Sequence, residues 1–211
     1  MNNLRFFACL VFAAGVSPGM VSASAATPGG AAHPDWPCEQ ILVPEVSAAV
    51  VWAGPSIEGL QGAWQQVGPV NRLVQRITAP GYDQHAADQQ IAQFASALES
   101  QEKQRMLTLL FAGVFEELNS ERSRMLSGIL RYSRGQAERA DRLGKDMDAM
   151  ASLEDASSAD GVRLEAMRQQ MTLRQRIFDE REEFIQHLCS RPVVVEQRLG
   201  FLARSIASHL D

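Results

Sequence analysis

Apolar residues recur every three or four positions along most of the chain, and that spacing places them on one face of a helix. Two short stretches, 69–78 and 84–98, show this pattern, and Asp83 is well placed to cap the second helix. Between Met106 and Leu118 the apolar residues surround the whole helix, which predicts a central and buried helix. We therefore predict an all-α fold, a helical bundle built around that central helix.

Beyond Leu118 the apolar positions narrow to a thin stripe with charged flanks, which is typical of a coiled coil. The stripe continues as far as Met150, with an irregularity near Gly135 and Gln136. A continuous helix over 119–153 would extend about 50 Å. We expect an arm of that length to protrude from the bundle.

A second apolar stripe completes the predicted arm. Residues 154–161 have the composition of a turn. Apolar residues then follow at helical spacing over 164–188, although Arg174 and Arg181 interrupt them. We predict that residues 119–189 form a long antiparallel helical hairpin that resembles a coiled coil.

The end of the arm is predicted at Pro192, because proline lacks the N–H that a helix interior needs. A last helix over 194–210 is expected to pack back on the central helix. Residues 35–211 would then form a single helical domain, with 119–189 as its arm.

The segment 35–55 departs from the helical pattern, because prolines in and just before it prevent a long helix. Residues 46–52 could form a short strand, but no partner strand appears downstream. An extended segment laid across the helical body fits the sequence better. Helical spacing resumes at Ser56, which can cap a helix that begins at Ile57.

The first 25 residues have the three parts of a secretory signal peptide: a basic start at Arg5, an apolar stretch over 6–16, and small residues before Ala26. An apolar helix of that length spans only about 16 Å, too short to cross a membrane. An uncleaved N-terminal anchor is the alternative. The small residues, glycines and proline of residues 26–34 predict a disordered lead-in. These features predict a bacterial periplasmic protein with no transmembrane span in the mature chain.

Cleavage of the signal peptide would remove Cys9 and leave Cys38 and Cys189. Two cysteines in an oxidising compartment predict a disulfide, which would join the N-terminal segment to a late helix. Two buried free thiols and a redox-active pair are the alternatives, and the lack of a C-x-x-C spacing disfavours the redox-active pair.

The net charge of -5, from 20 basic and 25 acidic residues, argues against nucleic acid as a partner. Over residues 119–191, 13 basic side chains balance 13 acidic ones. We interpret the charges of the arm as a mutually paired and solvated surface.

No motif in the sequence predicts catalysis. The chain has no G-x-S-x-G, no H-E-x-x-H and no glycine loop that would cradle a phosphate. Glu183, His187 and Cys189 form one local group of metal-ligating types. A zinc or copper site needs three or four convergent ligands, and Cys189 is expected to be oxidised. We therefore predict no metal, no cofactor and no catalytic residue.

All three tryptophans, Trp36, Trp52 and Trp64, lie in the N-terminal part of the chain. They can anchor that part to the helical core, or they can form a recognition surface, because aromatic residues concentrate at interfaces. We take them as the candidate interaction surface.

Several short motifs carry a resemblance to a known family. They are DWPCEQ at 35–40, VPEVS at 43–47, WAGPSIEG at 52–59, LLFAGVFEELNSER at 109–122, RQRIFDERE at 174–182 and VVEQRLGFLAR at 194–204. Through these motifs the chain resembles a family of uncharacterised exported helical proteins of proteobacteria. The resemblance implies an envelope location and assigns no activity, cofactor or catalytic residue.

Together these features predict a non-catalytic, exported interaction or scaffold module. It would act through its helical hairpin, either on an envelope protein or on a second copy of the chain. The alternative is a small-molecule or metal-binding module that uses the N-terminal part with its tryptophans and cysteines.

Overall fold

The computed structural model describes residues 33–81, 83–155 and 161–210. The predicted signal peptide and nearly all of the predicted lead-in lie outside the described residues. Most of the predicted turn over 154–161 lies outside them as well.

Five α-helices and one 3-10 turn make up the secondary structure of these residues. They are α1 (Ala48–Val51), the 3-10 turn Ala63–Gln66, α2 (Gly68–Thr78), α3 (Gln84–Ser96), α4 (Ser100–Asp155) and α5 (Gly161–Ala207). No strand occurs in the part of the chain that the structure describes, and the all-α prediction is confirmed.

The two short helices α2 and α3 form as their sequences predict. Pro69 lies in the first turn of α2, where its missing N–H costs no hydrogen bond. The Asp83 carboxylate accepts a hydrogen bond from the Ala86 amide at 2.9 Å and caps α3. α2 then packs on α4, and α3 packs on α5.

The centre of the core is the first part of α4, in which every residue from Met106 to Val114 is buried. Trp52 stacks on Phe111 with the ring centroids 4.0 Å apart and the ring planes 3° apart. The last part of α5 closes the core from the other side. The predicted central helix is confirmed.

Beyond the core, α4 and α5 form an antiparallel hairpin, since Arg168 early in α5 pairs with Glu154 late in α4. After Ile129 the only buried residues of α4 are Gln136 and Leu143. No described residue of α5 before the proline at 192 is buried. Most of this part of the hairpin, residues 130–155 and 161–189, is therefore two helices without a third layer, although the N-terminal segment contacts it at Arg134 and Cys189. We call it the distal arm.

The predicted helix end at Pro192 is wrong, because α5 continues through it as far as Ala207. The predicted last helix is therefore the final part of α5. A proline in a helix interior costs about 3 kcal/mol. Several apolar residues just beyond it are buried, and each contributes about 1.5–3 kcal/mol. They are Val195, Leu199, Leu202 and Ile206.

Two other local predictions are also corrected. The helix expected from Ile57 does not form, because Gly59 and Gly62 adopt left-handed backbone with φ of 79° and 69°. The chain turns there, and a 3-10 turn follows. Within the segment 35–55, which is predicted to be extended in preference to a short strand, residues 48–51 form the single helical turn of α1.

Candidate interaction site on the helical hairpin

Four large apolar side chains on the α5 side of the distal arm are exposed to solvent. They are Val162, Leu173, Ile177 and Phe184, which are 81%, 58%, 45% and 48% exposed. Successive members are 11, 4 and 7 residues apart, close to whole helical turns, so they share one side of α5. We call these four residues the outer stripe.

The outer stripe borders the side of α5 that packs on α4, and Phe184 at its end contacts the Tyr132 ring of α4. Phe178 is half-buried, and it follows the exposed Ile177 by one residue, about 100° around the helix. The predicted apolar seam of α5 does not include the four residues of the outer stripe, so the stripe was not predicted. The signal was present in the spacing from Leu173 to Phe184.

A groove of about 580 Å³ lies between the two helices of the distal arm, beside the outer stripe. Its apolar lining residues are Leu143, Ile177 and Phe178, and its charged lining residues are Arg139, Arg142, Lys145, Asp146 and Arg174. Four of the charged residues are basic and one is acidic. Because Ile177 belongs to both features, the groove and the outer stripe are continuous. We call this groove the arm groove.

Two basic residues of the arm groove have partners one helical turn earlier on α4. Arg142 lies 3.8 Å from Glu138, and Lys145 lies 2.6 Å from Asp141. Both pairs are exposed, and pairs of this kind contribute at most about 0.5 kcal/mol each. The carboxylates of these pairs lie outside the lining of the groove.

The other two basic residues are held differently. Arg174 pairs with Asp146 between the two helices. The Arg139 guanidinium donates to the Gly135 carbonyl at 2.7 Å, and it forms no ion pair with any described carboxylate. With the partner carboxylates counted, four basic residues face three acidic ones, so the arm groove carries a basic excess of one charge, at Arg139.

A buried polar side chain aligns the two helices of the distal arm. Gln136 is almost fully buried, and its amide nitrogen donates to the Phe178 carbonyl at 3.3 Å and to the Glu182 carboxylate at 2.9 Å. Its amide oxygen accepts a hydrogen bond from Arg181 at 3.0 Å. The irregularity that the sequence shows near this residue is therefore a polar contact between the helices, and α4 continues through it.

Arg181 extends this contact toward the base of the arm. Its guanidinium lies over the Tyr132 ring, 4.5 Å from the centroid, and the Tyr132 hydroxyl donates to the Arg181 carbonyl at 3.0 Å. Phe184 of the outer stripe packs at a tilt against the same ring, with the centroids 6.0 Å apart. Arg181 interrupts the apolar seam in the sequence, but in the structure it contacts Tyr132 and Gln136 of α4 and so links the two helices.

A larger cleft of about 700 Å³ lies where the hairpin meets α2. Its charged lining residues are Glu117, Glu121, Arg124 and Arg191. Arg198 lies beside it and donates to the carbonyls of Ala79 at 2.8 Å and of Ile77. Burial lowers the pKa of the Arg198 guanidinium, and the charge of Glu121 opposes that shift. Two acidic and two basic residues line this cleft, and that balance favours no ionic ligand.

The N-terminal segment 33–47, which we call the strap, is fastened to both long helices. Cys38 on the strap and Cys189 on α5 form the predicted disulfide, with their Cα atoms 5.6 Å apart. On the α4 side, Arg122 donates to the carbonyl of Val43 at 2.6 Å. The strap covers the first part of the predicted extended segment 35–55, and the helical turn α1 (Ala48–Val51) interrupts the rest.

Two of the three tryptophans cannot form an interaction surface. Trp64 is 1% exposed, and its indole N–H donates to the Glu116 carboxylate at 2.8 Å. Trp52 is 9% exposed and is stacked on Phe111. Both are anchors in the core, because the interior supplies a hydrogen-bond acceptor for one and a ring for the other. Trp36 is half-buried on the strap.

The structure brings together no metal site within residues 33–81, 83–155 and 161–210. No three His, Cys, Asp or Glu side chains in these ranges are placed to hold one ion. Cys189 is oxidised in the disulfide, and His187 lies edge-on to Phe184. No helix in the same ranges is long and apolar enough to span a membrane.

No protein-family model, curated protein or solved structure matches the chain. The resemblance to exported helical proteins therefore stays a prediction.

Proposed function

We propose that the protein is an exported interaction module of the periplasm that binds a partner protein along its distal arm. The observation that carries this proposal is the outer stripe, a row of exposed apolar side chains on the part of α5 where α4 is the one neighbouring helix. Leu173 and Ile177 lie one helical turn apart on the exposed side, and neighbouring exposed apolar groups mark contact surfaces, whereas single exposed apolar residues do not.

The length of the outer stripe favours a macromolecular partner over a small ligand. From Val162 to Phe184 it spans 22 residues, or about 33 Å of helix. A small ligand would cover a fraction of that length, whereas a helix of a partner protein can follow all of it.

The disulfide between Cys38 and Cys189 supports the export part of the proposal. Disulfides persist in oxidising compartments such as the periplasm, and reducing compartments keep thiols free. The predicted signal peptide gives the route to that compartment.

The alternative function, small-molecule binding by the N-terminal part, has less support. Trp52 and Trp64 were its main aromatic candidates, and both are occupied in the core. Only Trp36 of the three stays accessible in part.

Site-specific photocross-linking in the cells that produce the protein tests the proposal. A benzophenone side chain at Ile177 is expected to cross-link one partner protein. The same group at Asp148 serves as the control, because Asp148 is exposed on α4, lies half a turn around the helix from Arg139 and does not line the arm groove. No cross-link at Ile177, or equal cross-linking at both positions, would contradict the proposal.

Charge substitutions in the outer stripe provide a second experiment that tests the same proposal. Leu173→Asp and Ile177→Asp place a charge in the outer stripe and are expected to abolish the cross-link at a neighbouring stripe position. Thr172→Asp adds the same charge at an exposed position outside the stripe and is expected to leave cross-linking unchanged. Thermal unfolding of each variant shows that the fold is retained.

A further inference from the structure

We infer that the partner segment in the arm groove is an amphipathic helix whose apolar residues are flanked by acidic residues. This inference rests on the proposed function and names the chemistry of the partner. Its two foundations are the shape of the arm groove and the charge of its lining.

The shape of the arm groove suits side chains that project from one face of a helix. Leu143 is buried and Phe178 is half-buried, so the apolar lining lies between the two helices and below their charged side chains. Ile177 then continues the apolar surface outward to the outer stripe. Partner helices bind such grooves through apolar residues spaced three and four apart.

The basic residues that line the arm groove favour a partner helix with acidic residues beside its apolar face. Arg139, Arg142 and Lys145 follow one another at intervals of three along α4. Arg142 and Lys145 have exposed partners on the same helix, and such partners contribute little to stability and can be exchanged for carboxylates of a bound helix. Arg139 has a backbone carbonyl as its acceptor and can take a carboxylate directly.

Polar contacts of this kind act mainly on specificity and on the rate of association. Among partner helices of equal apolarity, the protein should therefore bind acidic ones much more tightly than basic ones. That affinity should fall as the salt concentration rises.

An anionic membrane surface would also attract basic residues, but it suits this geometry less well. Binding to a lipid surface needs apolar side chains that extend beyond the charged ones. In the arm groove, Leu143 and Phe178 are recessed between the helices, and charged residues such as Glu180 lie between the exposed members of the outer stripe. A membrane is therefore treated as an alternative outcome of the test.

The test uses the full exported chain with its disulfide intact and three synthetic helical peptides of about 22 residues, the length of the outer stripe. The peptides share one leucine stripe and carry glutamate, lysine or glutamine beside it. Fluorescence anisotropy of the labelled peptides measures affinity. We expect the glutamate peptide to bind about tenfold or more tightly than the lysine peptide, and to weaken as salt rises from about 0.05 to 0.5 M.

Charge reversal on the protein provides the decisive comparison. Arg139→Glu with Arg142→Glu is expected to reverse the preference, so that the lysine peptide binds better. Arg139→Gln with Arg142→Gln, a milder change, is expected to remove the preference. The matched control is Arg105→Glu, because Arg105 is also an exposed arginine of α4 with a glutamate partner one turn earlier, but it lies far from the arm groove.

The outcomes separate this inference from the proposed function. Equal affinity for the three peptides, with loss of binding in Ile177→Asp, would overturn the acidic partner and leave the proposed function standing. Failure of every peptide, or binding to phosphatidylglycerol vesicles in place of the peptides, would also overturn the inference. In those cases the photocross-linking at Ile177 decides the proposed function independently.

Discussion

Arg122 on α4 and Glu196 on α5 form a salt bridge with Nε and Oε1 2.5 Å apart, at the base of the hairpin. The Arg122 side chain is only 4% exposed. Its two terminal nitrogens donate to the carbonyls of Val43 at 2.6 Å and Pro44 at 3.3 Å. One guanidinium group therefore holds together three parts of the chain that are distant in sequence: the strap, α4 and α5.

This arrangement predicts that Arg122→Met lowers the free energy of unfolding by about 2–4 kcal/mol. The substitution leaves two strap carbonyls and one carboxylate without a partner, although the partial exposure of Glu196 limits the loss. Urea denaturation measures the change. The control is Arg134→Met, whose pair with Asp35 is exposed and should cost about 1 kcal/mol or less. Equal costs for the two variants would contradict the role of Arg122.

Substitution by alanine at two glycines of α4, Gly113 and Gly144, is expected to change the free energy of unfolding in opposite directions. A Cβ atom at Gly113 would lie 2.7 Å from Val74 and 2.8 Å from Trp64, so Gly113→Ala should destabilise the protein by about 1–3 kcal/mol. A Cβ atom at Gly144 meets nothing within 4 Å, so Gly144→Ala should stabilise it by up to about 1 kcal/mol through helix propensity. Thermal unfolding monitored by circular dichroism distinguishes the two signs.

The disulfide should contribute several kcal/mol to stability. It closes a loop of 151 residues between Cys38 and Cys189, and the chain-entropy model gives about 5 kcal/mol as an upper value. Cys38→Ser, Cys189→Ser and the double variant should lower the melting temperature equally, since each removes the same bond. Wild-type protein reduced with dithiothreitol should reach the same value. Equal melting temperatures of oxidised wild type and variants would disprove the contribution.

The polar contact at Gln136 should determine how firmly the distal arm stays closed. Gln136→Leu removes acceptors and donors that serve Arg181 and Glu182, which should cost about 1–3 kcal/mol. Because the distal arm has no third layer, the loss should appear as faster amide hydrogen exchange there, with little change in the core. Gln175→Leu, at an exposed position of α5, is the control and should change stability by about 0.5 kcal/mol or less.

The parts of the fold that the sequence analysis predicted are those whose signals are local. α2 and α3 each carry an apolar face and a start signal, Pro69 for one and Asp83 for the other. The first part of α4 is apolar on all sides, and a helix with that pattern is stable only when it is buried in a core. In these segments the backbone preferences, the cap and the apolar face all favour the same helix. Contacts with distant residues therefore did not change the local conformation.

The errors arose where contacts between distant residues outweighed a local signal. Pro192 favours a helix end, but packing of the residues beyond it keeps α5 continuous. Ser56 favours a helix start, but Gly59 and Gly62 take left-handed backbone and turn the chain. For Trp52 and Trp64 the sequence left open whether they anchor the N-terminal part or form a surface, and the structure buries both in the core. The sequence around a tryptophan does not show which residues will cover it.

By itself the sequence determined the helical class, the start of α3 at Asp83 and the cysteine pair, because each depends on spacing or residue chemistry within the chain. Only the tertiary structure decided which apolar residues are covered. Trp64 is buried because it packs against Gly113 on α4, where Glu116 accepts its N–H. Ile177 is exposed because the distal arm has no third helix. Burial is a property of a residue together with its neighbours in space, and those neighbours are chosen only when the whole chain folds.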